Sequence, residues 1–310
     1  MAEFHIQNRR EFLKYFIGSA AVLSGFDLYS QKLIKEEKIK KLTILYTNDQ
    51  HSRIEPFPAN DAKFAGQGGF AKRAALIKEI RKTDRNILLL DAGDVFQGTP
   101  YFNFYHGELE FKLMSLMGYD AVTLGNHDFD LGIENLVTQM QHASFSFVNC
   151  NYNFQDTSLF DKMQPHKVFV KDGIKIGVFG IGIELNGLVE KKLFGSIKYN
   201  NPIDCANSTA HHLKNNLKCD YVICLSHLGF KYDTEKISDI TLASQTKNIN
   251  FIIGGHTHTF LDSPLIVTNS EGKEVSITQV GWAGIWLGKI EIIFSDTNKI
   301  LLQNPNNQKI

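Results

Sequence analysis

The sequence predicts an α/β fold of two packed sheets with helices on their outer faces. From residue 42 onward short apolar runs alternate with segments of helical spacing, the pattern of a strand–helix core. Two stretches break that rhythm as hairpins, so part of the sheet structure is antiparallel. With 43% hydrophobic and 21% charged residues over 310 positions, the chain can fill a large core and is not globally disordered.

The elements follow in order. Apolar runs at 42–47, 87–91, 121–124, 146–150, 221–225 and 251–253 read as buried strands. Between them, 71–81, 108–117, 134–142 and 204–217 carry helical spacing. Runs at 166–170 and 174–179 flank Asp172-Gly173, a hairpin turn dipeptide. A second hairpin is expected from 264–268 and 275–280, and 286–294 adds another strand. The polar stretch 303–310 is expected to fray.

The first 38 residues read as an address and a linker rather than as fold. Asn8-Arg9-Arg10-Glu11-Phe12-Leu13-Lys14 precedes a short apolar stretch at 15–23, the layout of an export signal. That stretch falls short of the roughly 20 apolar residues a membrane span needs. The paired arginines resemble a twin-arginine signal, which implies export to the periplasm. No Ala-x-Ala cleavage pattern follows, so membrane anchoring through an uncut signal stays open. The expected division is 1–38 signal and linker, 39–296 main domain, and 297–310 tail.

Charge and side-chain usage narrow the chemistry. Lys+Arg 33 cancels Asp+Glu 33, which gives no support for binding nucleic acid or a membrane surface. Eleven His against four Cys tilt any metal site toward imidazole and carboxylate ligands, which suit Zn, Mn, Fe or Co. Cys150, Cys205, Cys219 and Cys224 form no Cys-x-x-Cys pair, so no zinc ribbon or redox motif is expected.

The informative residues stand where strands end. The runs at 42–47, 87–91, 121–124, 221–225 and 251–253 lead into Asn48-Asp49-Gln50-His51, Ala92-Gly93-Asp94, Gly125-Asn126-His127-Asp128-Phe129-Asp130, Ser226-His227 and Gly254-Gly255-His256-Thr257-His258. Open α/β sheets hold their sites at the carboxyl ends of strands. Asp49 with His51, and His256 with His258, are spaced i, i+2 and would converge from extended segments. With Asp94, Asn126 and His227 they supply seven ligands, more than one cation takes, so two metals sharing a carboxylate are expected. Gly66-Gln67-Gly68-Gly69 lacks the Gly-Lys-Ser/Thr ending of a P-loop and reads as a turn before a helix. Ser226 has no Gly-x-Ser-x-Gly elbow around it. His106, His142 and His166 lack a second ligand at useful spacing, and His211-His212 read as solvated. Phe102, Phe104 and Tyr105 read as pocket-lining or packing residues.

These blocks, with Gly68-Gly69-Phe70-Ala71-Lys72-Arg73 and Gln279-Val280-Gly281-Trp282-Ala283-Gly284, resemble the calcineurin-like metallophosphoesterases over residues 42–294. The resemblance is greatest to the catalytic domain of the 5′-nucleotidase and 2′,3′-cyclic phosphodiesterase family. It implies a four-layer α/β/β/α sandwich with two mixed sheets. It also implies that Asp49, His51 and His258 hold one divalent metal and Asn126, His227 and His256 a second, with Asp94 between them. His127 would be the catalytic histidine, oriented by Asp130. Asn126 and His127 would contact the phosphate, and base-binding residues stay unassigned. The family usually carries Glu where this chain has Asp128, and a commoner His where it has Tyr46, both outside the ligand set.

The expected reaction is hydrolysis of phosphate esters, nucleotides first, by a metal-bridging hydroxide with His127 assisting the leaving group. Two alternatives remain: a thiosulfohydrolase-like enzyme on the same fold, and a metal-bound subunit without turnover. Family members usually add a nucleoside-gripping C-terminal domain, for which no room is left after residue 294. A separately encoded partner domain is therefore expected, with weak discrimination among leaving groups by the chain alone.

Overall fold

The computed structural model describes residues 39–310. The export-signal reading lies outside the described residues. Strands follow one another as β1 (Lys40–Thr47), β2 (Ile87–Asp91), β3 (Ala121–Val122), β4 (Ser146–Val148), β5 (Met163–Gln164), β6 (His166–Lys171), β7 (Ile174–Ile181), β8 (Tyr221–Ser226), β9 (Phe251–Gly254), β10 (Leu265–Thr268), β11 (Glu274–Thr278), β12 (Trp286–Phe294), β13 (Ile300–Pro305) and β14 (Gln308–Lys309). The helices are α1 (Phe70–Thr83), α2 (Pro100–Tyr105), α3 (Glu108–Met117), α4 (Gly132–Met140), α5 (Lys191–Phe194), α6 (Pro202–His211) and α7 (Asp239–Gln245). Among the described residues no helix is long and apolar enough to cross a membrane.

One sheet runs β13-β12-β1-β2-β3-β4-β5 with β14 beside β12, and the other runs β10-β11-β9-β8-β7-β6. Parallel pairs run from β1 out to the β5 edge of the first sheet and through the middle of the second. Antiparallel pairs β1–β12, β6–β7 and β10–β11 lie to the sides. Both sheets are therefore mixed, as expected.

The period of two along a strand sorts side chains into layers. On β1, Leu42, Ile44 and Tyr46 enter the core between the sheets, where they meet Ile176, Val178, Ile223 and Ile253. Leu45 points the other way, into a core with Ile77 of α1 and Phe111 and Met114 of α3. The second sheet's outer face packs Phe179 and Val222 against Ala206 and Ala210 of α6 and Leu242 of α7. Three stacked cores make the four-layer α/β/β/α sandwich. Tyr46 crosses the middle layer: its hydroxyl lies 3.0 Å from Thr278 Oγ1 on the opposite sheet and donates to Asn307 Oδ1.

The tail expected at 297–310, with fraying from 303, is corrected. Residues 300–305 form β13, antiparallel to β12, and Gln308–Lys309 pair with Trp286–Leu287. The Ile310 N–H donates to Ile285 O, and its own carbonyl accepts from Gly68 N–H. The long β12 presents a row of unpaired backbone groups that a returning strand satisfies. Elsewhere the differences are small. The helix expected at 204–217 leaves α geometry after His211 for a wider turn, His212–Asn216. Pro100 opens α2, which puts Phe102 in the core and leaves Phe104 79% exposed.

Candidate metal centre

The loops after β1, β2 and β3 on one sheet meet those after β8 and β9 on the other. Asp49 and His51 follow β1, Asp94 follows β2, Asn126 and His127 follow β3, His227 follows β8, and His256 and His258 follow β9. All nine residues singled out by sequence, Asp130 included, lie in these loops.

How they converge corrects the sequence expectation. Asp49, His51, Asp94, His256 and His258 have φ of 48°, 48°, 55°, 72° and 52°, so none sits on an extended segment. Left-handed backbone at a non-glycine residue costs roughly 1–3 kcal/mol and persists only where its surroundings over-determine it. Here they do. Asp49 N–H donates to Gly93 O at 2.9 Å, Asp49 O accepts from Ala283 N–H at 2.7 Å, and His51 N–H donates to Asp94 O at 3.1 Å. The Asp49 carboxylate accepts from His256 N–H at 2.9 Å. Gly125 is needed because a Cβ there would overlap Asp94 Oδ1 and crowd Asp94 N.

The side chains gather into two groups, Asp49–His51–His258 and Asp94–His227–His256, whose ligand atoms lie within 4.8 Å of one another inside each group. The carboxylates tie the groups together. Asp94 Oδ2 is 3.0 Å from His227 Nε2 and 4.0 Å from His51 Nε2. Asp49 Oδ1 is 3.4 Å from His258 Nε2 and 4.0 Å from His227 Nε2. Asn126 Oδ1 stands 2.9 Å from His256 Nδ1.

Two observations fit these residues to divalent cations. His227 Nδ1 lies 2.7 Å from Ala92 O, so that nitrogen donates to the carbonyl and Nε2 is the atom turned toward Asp94. Nε2 is buried and stands 3.0 Å from Asp94 Oδ2, so one imidazole nitrogen and one carboxylate oxygen share a single spot. His51 Nε2 and His258 Nε2 likewise approach to 3.0 Å. Burial pushes His256 down to about 4 and also lowers His51, which keeps both rings neutral and able to donate a lone pair. Burial opposes charge on His227 and Asp94 as well, but their mutual attraction overrules it, raising the histidine and lowering the aspartate. In the metal-free centre this favours a proton on His227 Nε2, which a bound cation would displace.

His127 Nδ1 lies 2.8 Å from Asp130 Oδ2, and its ring is partly exposed beside His51 at 5.3 Å between centroids. The Asp130 hydrogen bond raises the His127 pKa against the opposing effect of burial.

Several neighbours escaped the sequence reading. Gln50, between the two ligands after β1, donates to Asp91 Oδ2 at 2.8 Å and accepts from the buried Arg73. Trp282 lies flat on His258, 4° from parallel with centroids 5.5 Å apart. Arg81 donates to Met117 O and Gly118 O at the end of α3. His166 and His212, far apart in sequence, approach to 5.3 Å between rings. Gln50, Arg73 and Trp282 stand in blocks that the sequence singles out, but nothing local in those blocks says what they touch. The four cysteines are free.

A calcineurin-like phosphoesterase family model matches residues 42–260. Snake venom 5′-nucleotidase of Crotalus adamanteus is 31% identical over 286 residues, covering 86% of this chain and 47% of that protein. The 5′-nucleotidase of Rattus norvegicus is 29% identical over 287 residues, with 86% and 48% covered. Among solved structures, the 5′-nucleotidase precursor from Thermus thermophilus superposes with a TM-score of 0.79 at 30% identity, covering 87% of this chain and 55% of that one. The chain thus spans about half the length of the relatives it matches.

Proposed function

Because the chain belongs to the calcineurin-like phosphoesterase family, we propose that it hydrolyses phosphate esters, nucleotides first among them, at a centre of two divalent cations. The observation that carries this reading is the joining of two His/Asp groups through Asp94 and Asp49, with the His127–Asp130 pair alongside. Asp49, His51 and His258 would hold one cation and Asn126, His227 and His256 the other, with Asp94 available to both. Two such cations supply an activated water and neutralise charge on the phosphoryl oxygens.

The rest is done by side chains of the chain. Asn126 and His127 face the phosphate. Protonated His127 passes a proton to the leaving oxygen, while Asp130 fixes its ring and tautomer. The names of the relatives support a nucleotide substrate. Their roughly doubled length supports nucleoside recognition by a further domain, in the same polypeptide or a separate one. The Arg9-Arg10 block supports export by the twin-arginine route.

The test is turnover. Chelator-treated protein should hydrolyse p-nitrophenyl phosphate only after Mn²⁺ or Zn²⁺ is restored. A panel of 5′-AMP, 2′,3′-cyclic AMP, a UDP-sugar and an S-thiosulfonate then sorts substrates. Cleavage of the S-thiosulfonate alone would replace the phosphoesterase reading with a thiosulfohydrolase. Full metal occupancy without turnover of any of them would leave a binding subunit.

A further inference from the structure

We propose that Asp128 is a positioning residue of the metal centre, fixing with one carboxylate the loops that present Asp94 and Asn126; this rests on the two-cation reading above. Asp128 lies in the short turn His127–Phe129 and is 2% exposed. Its Oδ2 accepts from Asp94 N–H at 3.0 Å and Gly125 N–H at 2.8 Å. Its Oδ1 accepts from Val95 N–H at 2.9 Å and Phe96 N–H at 3.2 Å. All four partners are backbone donors. Three are consecutive and form the concave nest that favours an anion.

Three of these four peptides lead to a proposed ligand. The Asp94 N–H is held while Asp94 itself turns through a φ of 55°. Its Oδ1 is then free to accept from His127 N–H at 2.8 Å, and its Oδ2 faces His227. Phe96 donates to Asp128, and its carbonyl lies 3.3 Å from His51 Nδ1, so the same turn sets the His51 ring. Gly125 is bonded immediately before Asn126. Asp128 therefore reaches both cation groups through backbone, and its hydrogen-bond partners include no ligand atom of either.

A carboxylate is the side chain that matches four donors, since its two oxygens offer about four lone-pair sites and no hydrogen. An amide of the same shape would aim its NH₂ at two of those N–H groups. A residue that merely filled the turn would support folding without acting on cation affinity, and the two roles separate experimentally.

Asp128→Asn and Asp128→Glu, in the full chain, are titrated with Zn²⁺ against a competing chelator. Thermal midpoints of the metal-free proteins are taken in parallel. Asp128→Asn is expected to bind Zn²⁺ about 10–100-fold more weakly, the usual effect of losing a group that orients metal ligands. It should also lower kcat on p-nitrophenyl phosphate at saturating metal more than it changes KM. Asp128→Glu keeps the acceptors and should bind more tightly than Asp128→Asn. If Asp128→Asn does not fold, Asp128→Ser, which opens the nest to water, is read in the same titration. Wild-type affinity in a folded Asn or Ser variant, with only the thermal midpoint lowered, would overturn the proposal. A wild-type chain that bound no cation would sink the proposed function itself.

Discussion

His127 Nδ1 and Asp130 Oδ2 stand 2.8 Å apart, and the link raises the His127 pKa although burial works against it. A histidine that donates its proton to a leaving group acts in the charged form. Activity should therefore fall as pH rises through its raised pKa, above the roughly 6.5 of free imidazole. Asp130→Asn removes the negative partner, lowers that pKa and should move the alkaline limb of the rate profile to lower pH. Profiles of kcat against pH for the two proteins check this, and coincident alkaline limbs would refute the acid role.

His127→Ala and Asp94→Ala should fail in different ways. Losing the acid should lower kcat by roughly 10²–10⁴-fold on a substrate with a poor leaving group, with metal content near normal. Asp94→Ala removes a carboxylate oxygen that lies 3.0 Å from an imidazole of one group and 4.0 Å from one of the other, and should empty both cation positions. Elemental analysis beside kinetics separates them. Metal lost from the first variant and kept by the second would reverse the assignment of roles.

Gly125→Ala should destabilise the protein by about 1–3 kcal/mol, the usual cost of overpacking, because its Cβ would overlap Asp94 Oδ1. Urea unfolding of the metal-free variant measures this without reference to activity. A midpoint equal to wild type would show that the loop after β2 has room to yield.

Replacing Arg9 and Arg10 with lysine should trap the precursor inside the cell, if the paired arginines are read by the twin-arginine route. Fractionation with an antibody to the chain is the measurement. Equal amounts outside the cytoplasm for the two proteins would point to another route.

The fold was legible because its signals are local. Leu42, Ile44 and Tyr46 share a strand face by period two, and the structure buries all three between the sheets. Asp172-Gly173 announced its hairpin in two residues, and Asp172 has the positive φ such a turn needs. Strand β13 stayed hidden because 300–305 is short and ends in a polar stretch without a periodic signal. What fixes it is the free edge of β12.

The residues gathered in the candidate centre could be named from order and spacing, since Asp, Asn and His at the ends of successive strands are a property of the chain alone. Their convergence could not. Asp49 holds a φ of 48° because Gly93 O, Ala283 N–H and His256 N–H fasten its peptide and carboxylate from distant parts of the sequence. Arg73 is buried on Gln50, and Asp128 is turned into the backbone after β2, for the same reason. Helix and strand follow from patterns of neighbouring residues, whereas a left-handed ligand loop is stable only when bonds from other strands over-determine it, and those bonds exist only once the two sheets have packed.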